Sequence, residues 1–134
     1  MKQRTRSAAA KVPAPGQHLD SLRQAAQTNP SHHATVLRLA WALYAEREFA
    51  EAATSFGQCA SLSAEDPEGS YGLGMALRAQ GKREAAVAAF QEAGRMAERL
   101  SDKTRAQMLH RLAIAHVHYL REGDWNLEKE VWRR

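Results

Sequence analysis

One pattern occurs twice in this 134-residue chain at a fixed separation, and that duplication limits the fold more than any other feature. Leu39-Ala40-x-x-Leu43 returns as Leu73-Gly74-x-x-Leu77, and Ala52-x-x-x-Phe56 returns as Ala86-x-x-x-Phe90, every matching pair 34 positions apart. Inside each copy the apolar residues recur at three and four, the spacing of a helix buried along one stripe. A unit of this length holds two helices and a turn. It cannot bury its own apolar stripe fully, so successive units must stack. The expectation is an all-α chain of antiparallel helix-turn-helix pairs.

Taken in order, residues 1–16 combine Lys2, Arg4, Arg6 and Lys11 with an alanine run and Val12-Pro13-Ala14-Pro15-Gly16. Prolines and glycine so close together stop a helix, and nothing periodic is there to bury, so a disordered basic tail is expected. Over 17–29, Leu19, Leu22, Ala25 and Ala26 form one stripe of a short helix, which Asn29-Pro30 ends. The first full unit, 33–66, should place helices over about 31–45 and 49–62. In the second, 67–100, Asp66-Pro67-Glu68 announces a helix to Gln80, Gly81 makes the turn, and a second helix runs over 82–100. Gly74 falls at a close crossing of helices. Gly72 has no evident packing role and should weaken its helix by about 1 kcal/mol against alanine. The third unit, 101–134, is irregular. Ser101 or Asp102 caps a helix ending at Gly123, Leu112 follows Leu73 by 39 rather than 34, and a short helix with Trp125 and Trp132 closes the chain.

This period, with a small residue after Leu and then Ala-x-x-x-Phe, resembles the tetratricopeptide (TPR) pattern W-x-x-L-G-x-x-Y…A-x-x-x-F…P. The resemblance is specific over residues 33–97 and loose outside them. It implies a right-handed TPR-type α-solenoid in which 17–29 is a capping half-repeat. It also implies a protein-binding scaffold or adaptor whose ligand meets five positions of each unit's first helix. Here those are Ala34, Leu37, Trp41, Tyr44 and Ala45; then Glu68, Tyr71, Met75, Arg78 and Ala79. On the looser third alignment they are Gln107, His110, Ile114, Val117 and His118. The resemblance thus assigns a peptide-binding groove to Leu37, Trp41, Tyr44, Tyr71, Met75, Arg78, His110 and Ile114. Trp41, Tyr44 and Tyr71 stand off the packing stripe, and large aromatics dominate binding hot spots. The Lys-Asn-Arg clamp by which some TPR domains hold a C-terminal carboxylate is missing, since Leu37, Trp41, Tyr71 and Met75 occupy its places. An apolar peptide or a partner's helix is the expected ligand.

Charge and chemistry narrow the remaining classes. The net charge is +4, and the tail carries four basic residues with no acid, leaving 15 basic against 15 acidic side chains in the rest. A formally neutral domain argues against nucleic acid as its partner, the basic tail being the one route to such contact. Self-assembly through the groove or an uncapped end is the other alternative. The single Cys59 reads as a buried small residue; it excludes an internal disulfide and fits a reducing, cytoplasmic setting. No apolar run is long enough for a membrane span, and residues 1–16 lack the apolar core of a secretory signal. Of the six histidines, His110, His116 and His118 lack the i, i+4 spacing of a helical metal pair. With no phosphate loop or nucleophile motif either, no cofactor, no metal and no catalysis are expected.

Overall fold

The computed structural model describes residues 15–123. The remainder of the expected tail and the expected helix with Trp125 and Trp132 lie outside the described residues. Within them are six α-helices and no strand: α1 Pro15–Thr28, α2 His33–Ala45, α3 Phe49–Leu62, α4 Glu68–Ala79, α5 Arg83–Ala97 and α6 Lys103–Glu122.

Local chemistry sets most of the boundaries. Pro15-Gly16, expected to bar a helix, opens α1 instead, because the first turn has no use for the N–H that proline lacks. His32 caps α2 through Nδ1, which accepts from the Thr35 N–H at 3.3 Å, so the helix starts two residues after Ser31. Asp66 Oδ1 accepts from the Glu68 N–H at 3.1 Å just ahead of α4. The Asp102 carboxylate accepts from the Arg105 N–H at 3.1 Å ahead of α6, and Gly123, at φ 76°, ends that helix. α5 stops at Ala97, short of the expected Leu100, and 98–100 continue in tighter turns, with Arg99 N–H donating to the Met96 carbonyl.

The two regular turns are equivalent. Glu48 N–H donates to the Leu43 carbonyl at 2.9 Å, and Lys82 N–H to that of Leu77 at 3.0 Å, the same bond 34 positions on. Each turn passes through one left-handed residue: Gly81 at φ 77° in the second, and Arg47 at φ 64° in the first. Arg47 therefore keeps the glycine-like turn geometry at a steric cost.

Each helix packs on the next, and α2 also meets α4. Leu19 and Leu22 of α1 join Leu39, Ala40, Leu43, Ala52, Phe56 and Ala76 in one buried cluster, so α1 packs with the helices that follow it. Ala86, Val87, Phe90 and Val117 form a second. Arg23 reaches from α1 to α3, donating to both oxygens of Glu51 at 2.9 and 2.8 Å, which holds the Glu51 carboxyl below its usual range.

Phe56 and Phe90 are fully buried, and glycines make room for them. A Cβ on Gly74 would meet the Phe90 ring at 2.8 Å, the close crossing expected there. Gly72 has a packing role after all: a Cβ there would overlap the Phe56 ring. The missing side chain is what lets α4 close on α3.

The same contacts fix how α6 docks. Phe56 lies beside Gly72, whereas Phe90, 34 residues later, lies against His116. Ala60 abuts Gly69, whereas Gly94, again 34 later, faces the Ala113 methyl. Gly72 to His116 and Gly69 to Ala113 are both 44 positions. α6 is thus engaged five residues further along than the leucine alignment of 39 placed it.

Candidate functional site

The eight residues assigned to the groove are all half-buried, but they fall into two groups. Six lie on α2 and α4. Leu37, Trp41 and Tyr44 pack against the first core cluster, and Tyr71 and Met75 against the second. Arg78 joins this row through its contacts with α6. His110 and Ile114 lie elsewhere, in the seam between α5 and α6. His110 Nδ1 donates to the Gly94 carbonyl at 3.3 Å, and Ile114 lies against the same glycine. Beside them a shallow recess of about 270 Å³ is lined by Glu98, Lys103, Ala106, Gln107 and His110.

Trp41 is more committed to the fold than its place off the leucine stripe suggests. Its indole N–H donates to Glu68 Oε2 at 2.9 Å, tying α2 to α4. Its ring meets Phe56 edge-on at 4.7 Å and Tyr44 at 5.8 Å, and Tyr44 in turn meets Phe49 at 5.2 Å. These aromatics are half-buried because they roof the core as well as line its outer side.

α6 adds His116, which the leucine alignment reads as packed or hydrogen-bonded, and Tyr119, which it passed over. His116, only 5% exposed, stacks parallel on Phe90 with centroids 4.3 Å apart. Its Nε2 is 3.1 Å from the Tyr71 hydroxyl and its Nδ1 is 3.4 Å from Arg78 Nη1. The Arg78 guanidinium lies over the Tyr119 ring, 4.8 Å from its centre, a cation–π arrangement. Burial first, and then the positive Arg78, push the His116 pKa down to about 4, so the imidazole is neutral at physiological pH. Burial also raises the Tyr71 pKa, with Tyr44 adding to the effect and Arg78 opposing it.

In the packed register, Tyr119 is 44 positions beyond Met75, and Met75 is 34 beyond Trp41. Tyr119 is the residue beside Arg78 that sequence reasoning missed. A signal for it existed in the turn residues. Gly123 follows Gly81 by 42, and alignment on these stops comes nearer the packed register than alignment on leucines.

The remaining reactive groups are quiet. Cys59 is fully buried, and burial, with Asp66 and Glu68 adding, pushes its thiol pKa up to about 12. Among the described residues no group of three or more His, Cys, Asp or Glu is placed to hold a metal ion. No helix among them is long and apolar enough to cross a membrane. The site consists of ring faces and edges, a thioether, hydroxyls and one guanidinium, which suits holding a ligand by shape and hydrogen bonds. No protein-family profile matches this chain, and no curated protein is detectably similar to it in sequence.

Proposed function

We propose that this chain is a segment of a TPR-type α-solenoid and acts as a non-catalytic, cytoplasmic scaffold. It holds an apolar peptide or a partner's helix along the face made by α2, α4 and α6. The observation that carries this reading is the set Trp41, Tyr44, Tyr71, Met75, Arg78 and Tyr119 on α2, α4 and α6. It is half-buried, rich in aromatics, and backed by the core phenylalanines rather than standing loose on the surface. Anchors already held in place lose little conformational freedom when a ligand binds, which favours affinity.

The test is to select ligands for the full chain from random linear peptides and to map the tightest by NMR shift changes. Changes confined to α2, α4 and α6 support the reading. Changes on α1, α3 and α5, or no saturable binder, reject it. Alanine at Trp41 or Tyr71 is a poor probe, because each ring also supports the core.

A second reading, self-association, rests on α6, where Met108 and Leu112 are 53% and 40% exposed one helical turn apart. Light scattering across a concentration series decides it, since a monomer throughout excludes that role.

A further inference from the structure

We infer that residues 124–134 of the chain run back antiparallel along α6 and cover the side of that helix turned away from α5, with Trp132 over Ala115. The inference goes beyond the scaffold reading above and does not depend on it.

The argument starts from one alanine. α6 packs along its length on α5, with His110, Ala113 and Ile114 lining Gly94 and Val117 in the second core cluster. Ala115 lies about 160° round the helix from both Ala113 and Val117, on the far side. On the outer side of α5, Ala85 and Ala88 are exposed. Ala115 is 1% exposed. Contact with α4 does not account for this. α4 meets α6 at His116, and Leu112 lies nearer to that side than Ala115 does, about 40° from His116 against about 100°. Yet Leu112 is 40% exposed. Met108, seven residues before Ala115 and so almost in line with it, is 53% exposed. The far side of α6 is therefore covered over its C-terminal half, and the cover stops before Leu112.

The length of chain beyond Gly123 identifies the occupant. Gly123, at φ 76°, turns the chain out of α6. As a helix, residues 125–134 span about 15 Å, which brings them back to the level of Ala113 and leaves Leu112 and Met108 bare. Exposure along α6 changes at that same level. The spacing of the aromatics agrees. Phe56 follows the left-handed Arg47 by nine positions, Phe90 follows Gly81 by nine, and Trp132 follows Gly123 by nine. In a helix running antiparallel from this turn, position 132 comes level with Ala115, and Trp125 falls on the same side as Trp132. A second copy has no reason to cover Ala115 and stop short of an apolar Leu112. A tether of this length does. The far side of α6 is thereby closed to stacking by another copy, and Met108 with Leu112 stays open beyond the segment's end.

NMR on the full chain tests this. Nuclear Overhauser contacts should join the Ala115 methyl to the Trp132 indole, assigned by their loss in Trp132→Leu, and should persist on dilution. In a mixture of labelled and unlabelled chains, isotope filtering for contacts between chains should remove them. Contacts that survive the filter make the occupant a second copy and overturn the inference. An Ala115 methyl in the wild-type chain with no contact to any of residues 124–134 overturns it too. The second readout is the position of that methyl resonance, which an indole face shifts upfield. It should move downfield in Trp132→Leu while the Met108 methyl holds its place; an Ala115 methyl that does not move rejects the placement of Trp132. All these outcomes leave the scaffold reading untouched.

Discussion

The imidazole of His116 lies flat against the ring of Phe90, with the planes 4° apart and the centroids 4.3 Å apart. This one contact joins α6 to α5 and, through Tyr71 and Arg78, to α4. Its strength depends on His116 remaining neutral, since a charged imidazole would be buried beside a guanidinium.

That dependence predicts a specific acid sensitivity. In the unfolded chain His116 takes up a proton near 6.5, whereas in the fold it does so only near 4. Between these values the unfolded state binds more protons, so acidification favours unfolding. Stability from this residue is complete above about pH 6.5, declines as pH falls, and levels off below about 4. The loss at pH 5 should be about 2 kcal/mol. Urea unfolding of wild type and His116→Phe from pH 7 to pH 4 checks it, because the variant should lose that part of the slope.

Two glycines in helices should respond in opposite directions to alanine. Gly72→Ala drives a methyl into the Phe56 ring and should destabilise by about 1–3 kcal/mol, the range for overpacking. Gly57, within α3, has nothing within 4 Å of its would-be Cβ, so Gly57→Ala should gain up to about 1 kcal/mol from helix propensity. Thermal melts of the two variants beside wild type distinguish packing from propensity. A gain at Gly72 would mean that Phe56 is not seated there.

Arg47 stands in a left-handed conformation that its turn demands. Arg47→Gly should relieve that strain and raise stability by about 0.5–1 kcal/mol, despite the greater freedom of glycine in the unfolded chain. The gain is tempered by loss of the Arg47 guanidinium 5.6 Å over Phe49. An unchanged or lower midpoint in chemical denaturation would show that this contact outweighs the strain.

Cys59 should be unreactive while the protein is folded. Its burial and its pKa near 12 leave almost no thiolate at neutral pH, and the thiolate is the nucleophile. Labelling by an aromatic disulfide reagent should proceed at the rate of unfolding and become immediate in denaturant. Rapid labelling of the native chain would contradict the buried placement.

What the chain announces by itself is its set of helices. Period, caps and stops are local, so Leu39 with Leu43, Ala52 with Phe56, Asp66, Asp102 and Gly123 already mark where helices run and end, and α3 matches its expected bounds. Phe56 and Phe90 announce themselves as core, and Trp41 and Tyr71 as residues off the core stripe. Three matters wait for tertiary structure, because each depends on partners distant in sequence. Gly72 looks like a weak point until the Phe56 ring is seen in the space it leaves. The docking of α6 depends on which side chain meets Phe90, and a leucine motif within α6 carries no information about that. His116 therefore replaces the leucine register, Tyr119 joins the row, and His110 and Ile114 face α5. Finally, Tyr71, Arg78 and His116 converge on one another only when α4 and α6 meet. Helix formation is decided by neighbours along the chain; register and side-chain partners are decided by neighbours across space.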